Sequence, residues 1–122
     1  MAPHLGPGRK GESLAKTFLE GLGYEILDEN RTHGKAEIDR IAYKDKVIIL
    51  AEVKTRPGNW FGEPEDFADN RKQKLLAGAA DEYIYPMDHQ GEVGFDILSV
   101  LFDKNANYTL KHTQDAFWPS AD

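Results

Sequence analysis

The 122-residue chain contains no cysteine. Disulfide stapling, cysteine nucleophiles and thiolate zinc sites are therefore excluded. No segment has the apolar length needed to span a bilayer, and the opening Met-Ala-Pro-His-Leu-Gly lacks the apolar run of a signal peptide. The expectation is a soluble, cytoplasmic protein without membrane contact. His4, His33, His89 and His112 are too dispersed for a zinc site, and neither a glycine-rich phosphate loop nor a serine-centred motif occurs.

What is present suits one domain over residues 1–122 with a core from about 8 to 112. That is long enough to bury a real interior and too short for two ordinary domains. Hydrophobic residues at 40% and charged residues at 30% are ordinary for a globular protein. The net charge of −6 at first opposes a nucleic-acid partner, because phosphate neutralisation by Lys and Arg supplies most non-specific affinity. The charge is unevenly placed, however. Residues 1–74 hold 13 basic and 13 acidic side chains, so the excess is confined to residues 75–122.

Periodicity predicts a helix over Lys10–Leu22, with Leu14, Ala15, Phe18, Leu19 and Leu22 at helical spacings and Gly23 as its stop. Strands are expected over Tyr24–Asp28, Glu37–Tyr43 and Val47–Lys54, the last two joined by a turn at Lys44-Asp45-Lys46. Thr55 to Pro64 is the longest unpatterned stretch. A second helix is expected over Asp66–Tyr85, ended by Pro86. Val93–Phe102 is apolar on both parities and reads as an interior strand, with Tyr108–His112 as a last edge strand. The order α-β-β-β-α-β-β implies an α/β fold, a mixed central sheet flanked by helices.

Three charges break the strand pattern. Along the third strand Ile48, Leu50, Glu52 and Lys54 share one face, and Val47, Ile49, Ala51 and Val53 the other. A carboxylate and an ammonium near the end of a strand apolar on both sides call for a partner, since burying either alone is costly. A hairpin turning at 44–46 sets Asp39 opposite roughly residue 51. Asp39 and Glu52 then supply a hard oxygen site of the kind Mg2+ or Mn2+ takes, with the Val53 carbonyl as a further ligand. Such an ion would activate water, and Lys54 would orient it or offset charge on a scissile phosphate. The rival reading is a cross-strand salt bridge.

Other side chains have two readings each. Glu12 is either a third acid of the site or a first-turn acid favoured by the helix dipole. Glu37 shares the parity of Asp39 and is its rival as ligand, or a solvated charge. Arg31, His33 and Lys35, Arg56, and Arg71, Lys72 and Lys74 are phosphate contacts or surface charges. Trp60 and Phe61 stack on bases or anchor their loop. His112 through Trp118 suggests no role.

Gly11-Glu12 with Ala15, Gly23-Tyr24-Glu25-Ile26-Leu27, Glu37-Ile38-Asp39, Glu52-Val53-Lys54-Thr55-Arg56, Phe61-Gly62 with Pro64-Glu65, Lys72 and Phe95-Asp96 together resemble the UPF0102 (YraN-like) family. That family is described as predicted endonucleases of the PD-(D/E)xK superfamily, distantly similar to archaeal Holliday junction resolvases. The resemblance spans roughly residues 8 to 101. It implies a restriction-endonuclease-like fold, a nuclease core at Glu12, Asp39, Glu52 and Lys54, and a substrate contact at Lys72. Ala36 stands where the family usually has glycine. The function expected is metal-dependent cleavage of branched or structured DNA, and a resolvase would act as a two-fold dimer. The alternative is a non-catalytic nucleic-acid-binding or protein-interaction domain that keeps the fold.

Overall fold

A computed structural model of the protein describes residues 7–57, 70–105 and 107–116. Helix α1 spans Pro7–Gly21 and is followed by strands β1 (Glu25–His33), β2 (Ala36–Lys44) and β3 (Val47–Pro57). Helix α2 (Asn70–Ile84), a 3-10 turn (Tyr85–Met87), β4 (Glu92–Phe102) and β5 (Tyr108–Thr113) complete the order. This is the α-β-β-β-α-β-β succession expected from the sequence. Residues 58–69, including Trp60, Phe61 and the expected start of the second helix, lie outside the described residues, as does His4.

The five strands lie in chain order, β1-β2-β3-β4-β5. Among the described residues only β3 and β4 run parallel, from Val47↔Glu92 to Pro57↔Phe102, and the other three pairings are antiparallel. The crossover between the parallel strands holds α2, as a parallel connection requires. β4 is covered on one face by α2 and on the other by α1, which explains why its apolar residues occupy both parities.

Side-chain alternation divides the core in two. Ile48, Leu50, Phe95 and Ile97 meet Leu76, Ala79 and Ala80 of α2 on one face. Ala42, Ile49, Ala51 and Leu98 meet Ala15 and Leu19 of α1 on the other. Leu19, Ile41 and Ile97 are fully buried, each contributing about 1.5–3 kcal/mol of transfer free energy. Beyond Gly21 the chain closes α1 with a Schellman arrangement: Gly23 N–H donates to the Glu20 carbonyl and Tyr24 N–H to that of Leu19. Gly23 sits at φ +98°, conformational space that its missing Cβ makes accessible.

Two expectations need correction. The first strand does not stop at Asp28 but runs to His33, so Arg31 and His33 lie within β1. The hairpin turns at Gly34-Lys35 instead. Residues 29–33 are polar because this end of the edge strand is exposed, and its strand character comes from pairing with β2, which local propensity does not register. The second correction concerns the β2–β3 register. Its turn is the two-residue Asp45-Lys46, with φ of 50° and 68° as in a type I′ hairpin, and Lys44 pairs with Val47. Arg40, not Asp39, therefore stands opposite Ala51, and the pairing ends there. Asp39 thus lies just past the last β2–β3 pair, where its carboxylate rather than its backbone reaches β3.

Candidate functional site

β2 and β3 part at Asp39. Their pairing ends at Arg40↔Ala51, while β3 continues to Pro57. Ala36 and Ile38 lie in the same core cluster as Ile41, so the alternation of β2 reverses across Asp39-Arg40. At the break Asp39 Oδ2 accepts the Val53 backbone N–H at 2.7 Å, doing for β3 what a β2 carbonyl no longer does. Arg40, buried on β2, donates to the Asp39 carbonyl at 2.6 Å.

Glu52 lies at the centre of the cluster. It projects from the α2 face of β3 with its side chain 10% exposed. Its Oε1 receives Lys54 Nζ at 3.2 Å, and Lys72 of α2 reaches the same oxygen. Its Oε2 is buried without a hydrogen-bond partner. Buried carboxylate oxygens are seldom left so, and an orphaned oxygen with a second carboxylate near enough to feel its charge is what a hard cation would engage.

The electrostatics agree. Asp39 is pushed up to about 6, above all by burial; the Val53 N–H opposes the rise, while the charges of Glu52, Glu12 and Glu37 add to it. Negative charge thus converges on Asp39 from β3, from α1 and from its own strand. Lys54 is held below the usual lysine range by burial first, and by the adjacent Lys72, against the pull of Glu52. Burial also acts downward on Lys72, as its largest single influence. Its hydrogen bonds to Glu52 and Lys54 and the charges of Glu52 and Asp39 outweigh that and leave it raised. Of the two amines, Lys72 keeps its proton the more firmly.

Asp39, Glu52, Lys54 and Lys72 are thus brought together, with Glu12 close enough for its charge to be felt. Helix α1 approaches β3 there because Gly11 has no side chain: a Cβ would lie 2.1 Å from Thr55 Oγ1. Glu37 is exposed and acts on Asp39 only through its charge. Arg56 donates to the Thr55 carbonyl at 2.8 Å, two residues beyond Lys54. Arg31 is drawn elsewhere, stacked 5.4 Å from the Tyr83 ring centroid and 3.7 Å from Asp28. Among the described residues, no group of three or more His, Asp or Glu side chains is placed to hold a metal ion. A cation here would rest on Asp39 and Glu52, completed by the Val53 carbonyl and water, a donor set magnesium accepts.

Sequence reasoning missed one buried polar pair. Asp96, 2% exposed, receives His112 Nε2 at 2.7 Å and the Asp115 N–H at 3.1 Å. Asp96 stands across β3 from Ala51, on the face opposite Glu52. The available signal was an acid inside a strand that is apolar on both parities.

Comparison with known proteins agrees with this residue pattern. The family model described as "Uncharacterised protein family UPF0102" matches residues 11–100, which include every charged member of the cluster. A UPF0102 protein of Flavobacterium psychrophilum is 42% identical over 118 residues, covering 97% of this chain and 98% of the relative. UPF0102 proteins of Christiangramia forsetii and Bacteroides thetaiotaomicron are 41% and 37% identical over nearly the whole of both chains. With the match reaching from α1 to β4 and the relatives coextensive with it, the chain belongs to the UPF0102 family.

Proposed function

We propose that the protein is a Mg2+- or Mn2+-dependent endonuclease that hydrolyses phosphodiester bonds in branched or otherwise structured DNA. The observation that carries this reading is the unpartnered Glu52 Oε2 with two lysines beside it and its charge felt by Asp39, where β2 and β3 part. The bound ion would supply an activated water and charge neutralisation at the phosphate. Asp39 and Glu52 would hold it. Lys54, the amine that gives up its proton more readily, would orient or deprotonate the attacking water. Lys72 would offer a fixed positive charge to the phosphate oxygens, and Arg56 a further contact along the backbone. Branched DNA as the substrate rests on the family resemblance, not on a shape visible in the fold.

The test is cleavage of junction, flap, single-stranded and duplex DNA by the purified protein with either metal. Cutting that is lost in Asp39→Ala and Glu52→Ala supports the proposal. No cutting of any substrate, or cutting indifferent to both changes, overturns it.

One observation favours a second reading. Glu52 Oε1 is already occupied by two amines, which suits a closed ion-pair network in a non-catalytic nucleic-acid-binding domain. That reading expects salt-dependent DNA binding with no divalent-ion uptake by calorimetry.

A further inference from the structure

Ser99 lies next to Lys54. The two are register partners on the parallel strands β4 and β3, so their side chains leave the same face of the sheet on adjoining strands about 4.8 Å apart. Ser99 is 6% exposed and its Oγ is buried with no hydrogen-bond partner. An unpaired buried hydroxyl opposes folding, a cost that alanine at this position would not carry. Packing alone gives the oxygen no use.

Lys54 is the group that could use it. Its ion pair is to Glu52 Oε1, an oxygen that Lys72 also occupies. A cation on Glu52 Oε2 would add a positive charge beside the two ammonium groups already on Oε1 and loosen the hold of Glu52 on Lys54, because like charges at that range repel. Lys54 then needs another acceptor near the site, and Ser99 Oγ is the unpartnered one on the adjoining strand. Thr113 Oγ1 is also buried and unpartnered, but it pairs with Ile97 and stands one strand further away. Lys111, the register partner of Ser99 on β5, is exposed and can extend into solvent.

We infer that Ser99 is a positioning residue for Lys54, its hydroxyl receiving the Lys54 amine when Glu52 is engaged by a cation and keeping that amine over the site. The inference rests on the reading of Glu52 as a cation ligand, and it assigns Ser99 no contact with substrate.

The experiment uses the full chain with 15N-labelled lysine. Adding Mg2+ to the wild type should bring one slowly exchanging NH3+ signal into view, assigned to Lys54 by its loss in Lys54→Arg. Ser99→Ala should lose that signal, Ser99→Thr should keep it, and Lys111→Met should leave it in place. In the DNA-cleavage assay Ser99→Ala should lower kcat at least tenfold with KM within twofold, and Ser99→Thr should restore most of the rate. Without metal, Ser99→Ala should melt no lower than the wild type, since it removes an unpaired hydroxyl.

An unchanged signal and rate in Ser99→Ala, in a wild type that binds Mg2+ and cuts, overturns the role of Ser99 alone. Ser99→Ala that melts lower and loses signal and rate without rescue by threonine also overturns it, in favour of a packing role. A wild type that neither takes up Mg2+ nor cuts overturns this inference together with the proposal beneath it.

Discussion

Asp39 Oδ2 and the Val53 N–H are 2.7 Å apart, and this bond joins β2 to β3 at the point where their backbone ladder has ended. The carboxylate is both a structural acceptor and a member of a crowded negative cluster, and the two roles respond differently to substitution. Asparagine keeps an oxygen for Val53 and removes the charge.

The consequence depends on pH. Asp39 in the fold is pushed up to about 6 from 3.8, chiefly by burial. A carboxyl with a raised folded pKa binds its proton more tightly folded than unfolded, so its ionisation opposes folding. That cost is absent below about 3.8, grows between there and 6, and is complete above 6. The size is about 2–3 kcal/mol. In metal-free protein, Asp39→Asn should therefore raise stability at pH 7.5 by up to that amount. The gain should shrink as pH falls through 6 towards 4. Urea unfolding at both pH values measures it, and a variant less stable than wild type at pH 7.5 would show that the Val53 bond outweighs the repulsion.

Much of this site is legible in the sequence because strand alternation is local. The sharing of one face by Ile48, Leu50, Glu52 and Lys54, and of the other by Ile49 and Ala51, needs only the period of two. The place of Asp39 is less accessible, since it turns on where the β2–β3 ladder ends. The second half of β1 is hidden because Glu29 to His33 looks like a loop by composition. Lys72 on Glu52 and His112 on Asp96 are out of reach in another way: each joins residues 16 or more apart in sequence, and only the assembled sheet decides which charges meet.

The Asp96–His112 pair should behave as a tie for the C-terminal strand. Asp96 receives both His112 and the Asp115 N–H, while Ala116 N–H bonds the Phe95 carbonyl at 2.8 Å. Asp96→Ala leaves two donors without their acceptor and should cost about 3 kcal/mol or more. His112→Gln, able to donate to the same carboxylate, should cost less than His112→Leu. Hydrogen exchange should show the loss concentrated in β5. Equal destabilisation by Gln and Leu would mean that the edge contact of His112 with Phe18, ring centroids 5.9 Å apart, matters more than the hydrogen bond.

Gly11 offers a steric test of how α1 is seated. A methyl there would meet Thr55 Oγ1 at 2.1 Å, with Thr55 Cβ at 3.4 Å and Cγ2 at 3.6 Å. Relief requires a change of χ1 that turns Oγ1 away, and a β-branched side chain is restricted at that torsion. Gly11→Ala should thus destabilise the protein by about 1–3 kcal/mol, the usual range for overpacking. Combining it with Thr55→Ala should recover most of that loss, because the remaining Cβ lies at ordinary contact distance. A double variant as unstable as the single one would move the cause from the Thr55 clash to the helix backbone.

The three-way contact of Glu52 with Lys54 and Lys72 should give non-additive energetics. Lys54→Met or Lys72→Met alone leaves the other amine on Glu52 Oε1. Lys72 is 36% exposed at its side chain, so solvent already screens its share, and each single change should cost about 1 kcal/mol or less. With both replaced, Glu52 keeps a buried carboxylate with no cation, the costly situation for an ion pair broken on one side. The double variant should be less stable than the summed singles by about 1–2 kcal/mol in a urea double-mutant cycle. Saturating Mn2+ should shrink that coupling, since Glu52 would no longer depend on the amines for a positive neighbour. It should also stabilise the double variant more than the wild type, in which two ammonium groups oppose the ion. Additive singles would show that Lys54 and Lys72 do not share one carboxylate in solution, and an Mn2+-insensitive cycle would count against a cation site at Glu52.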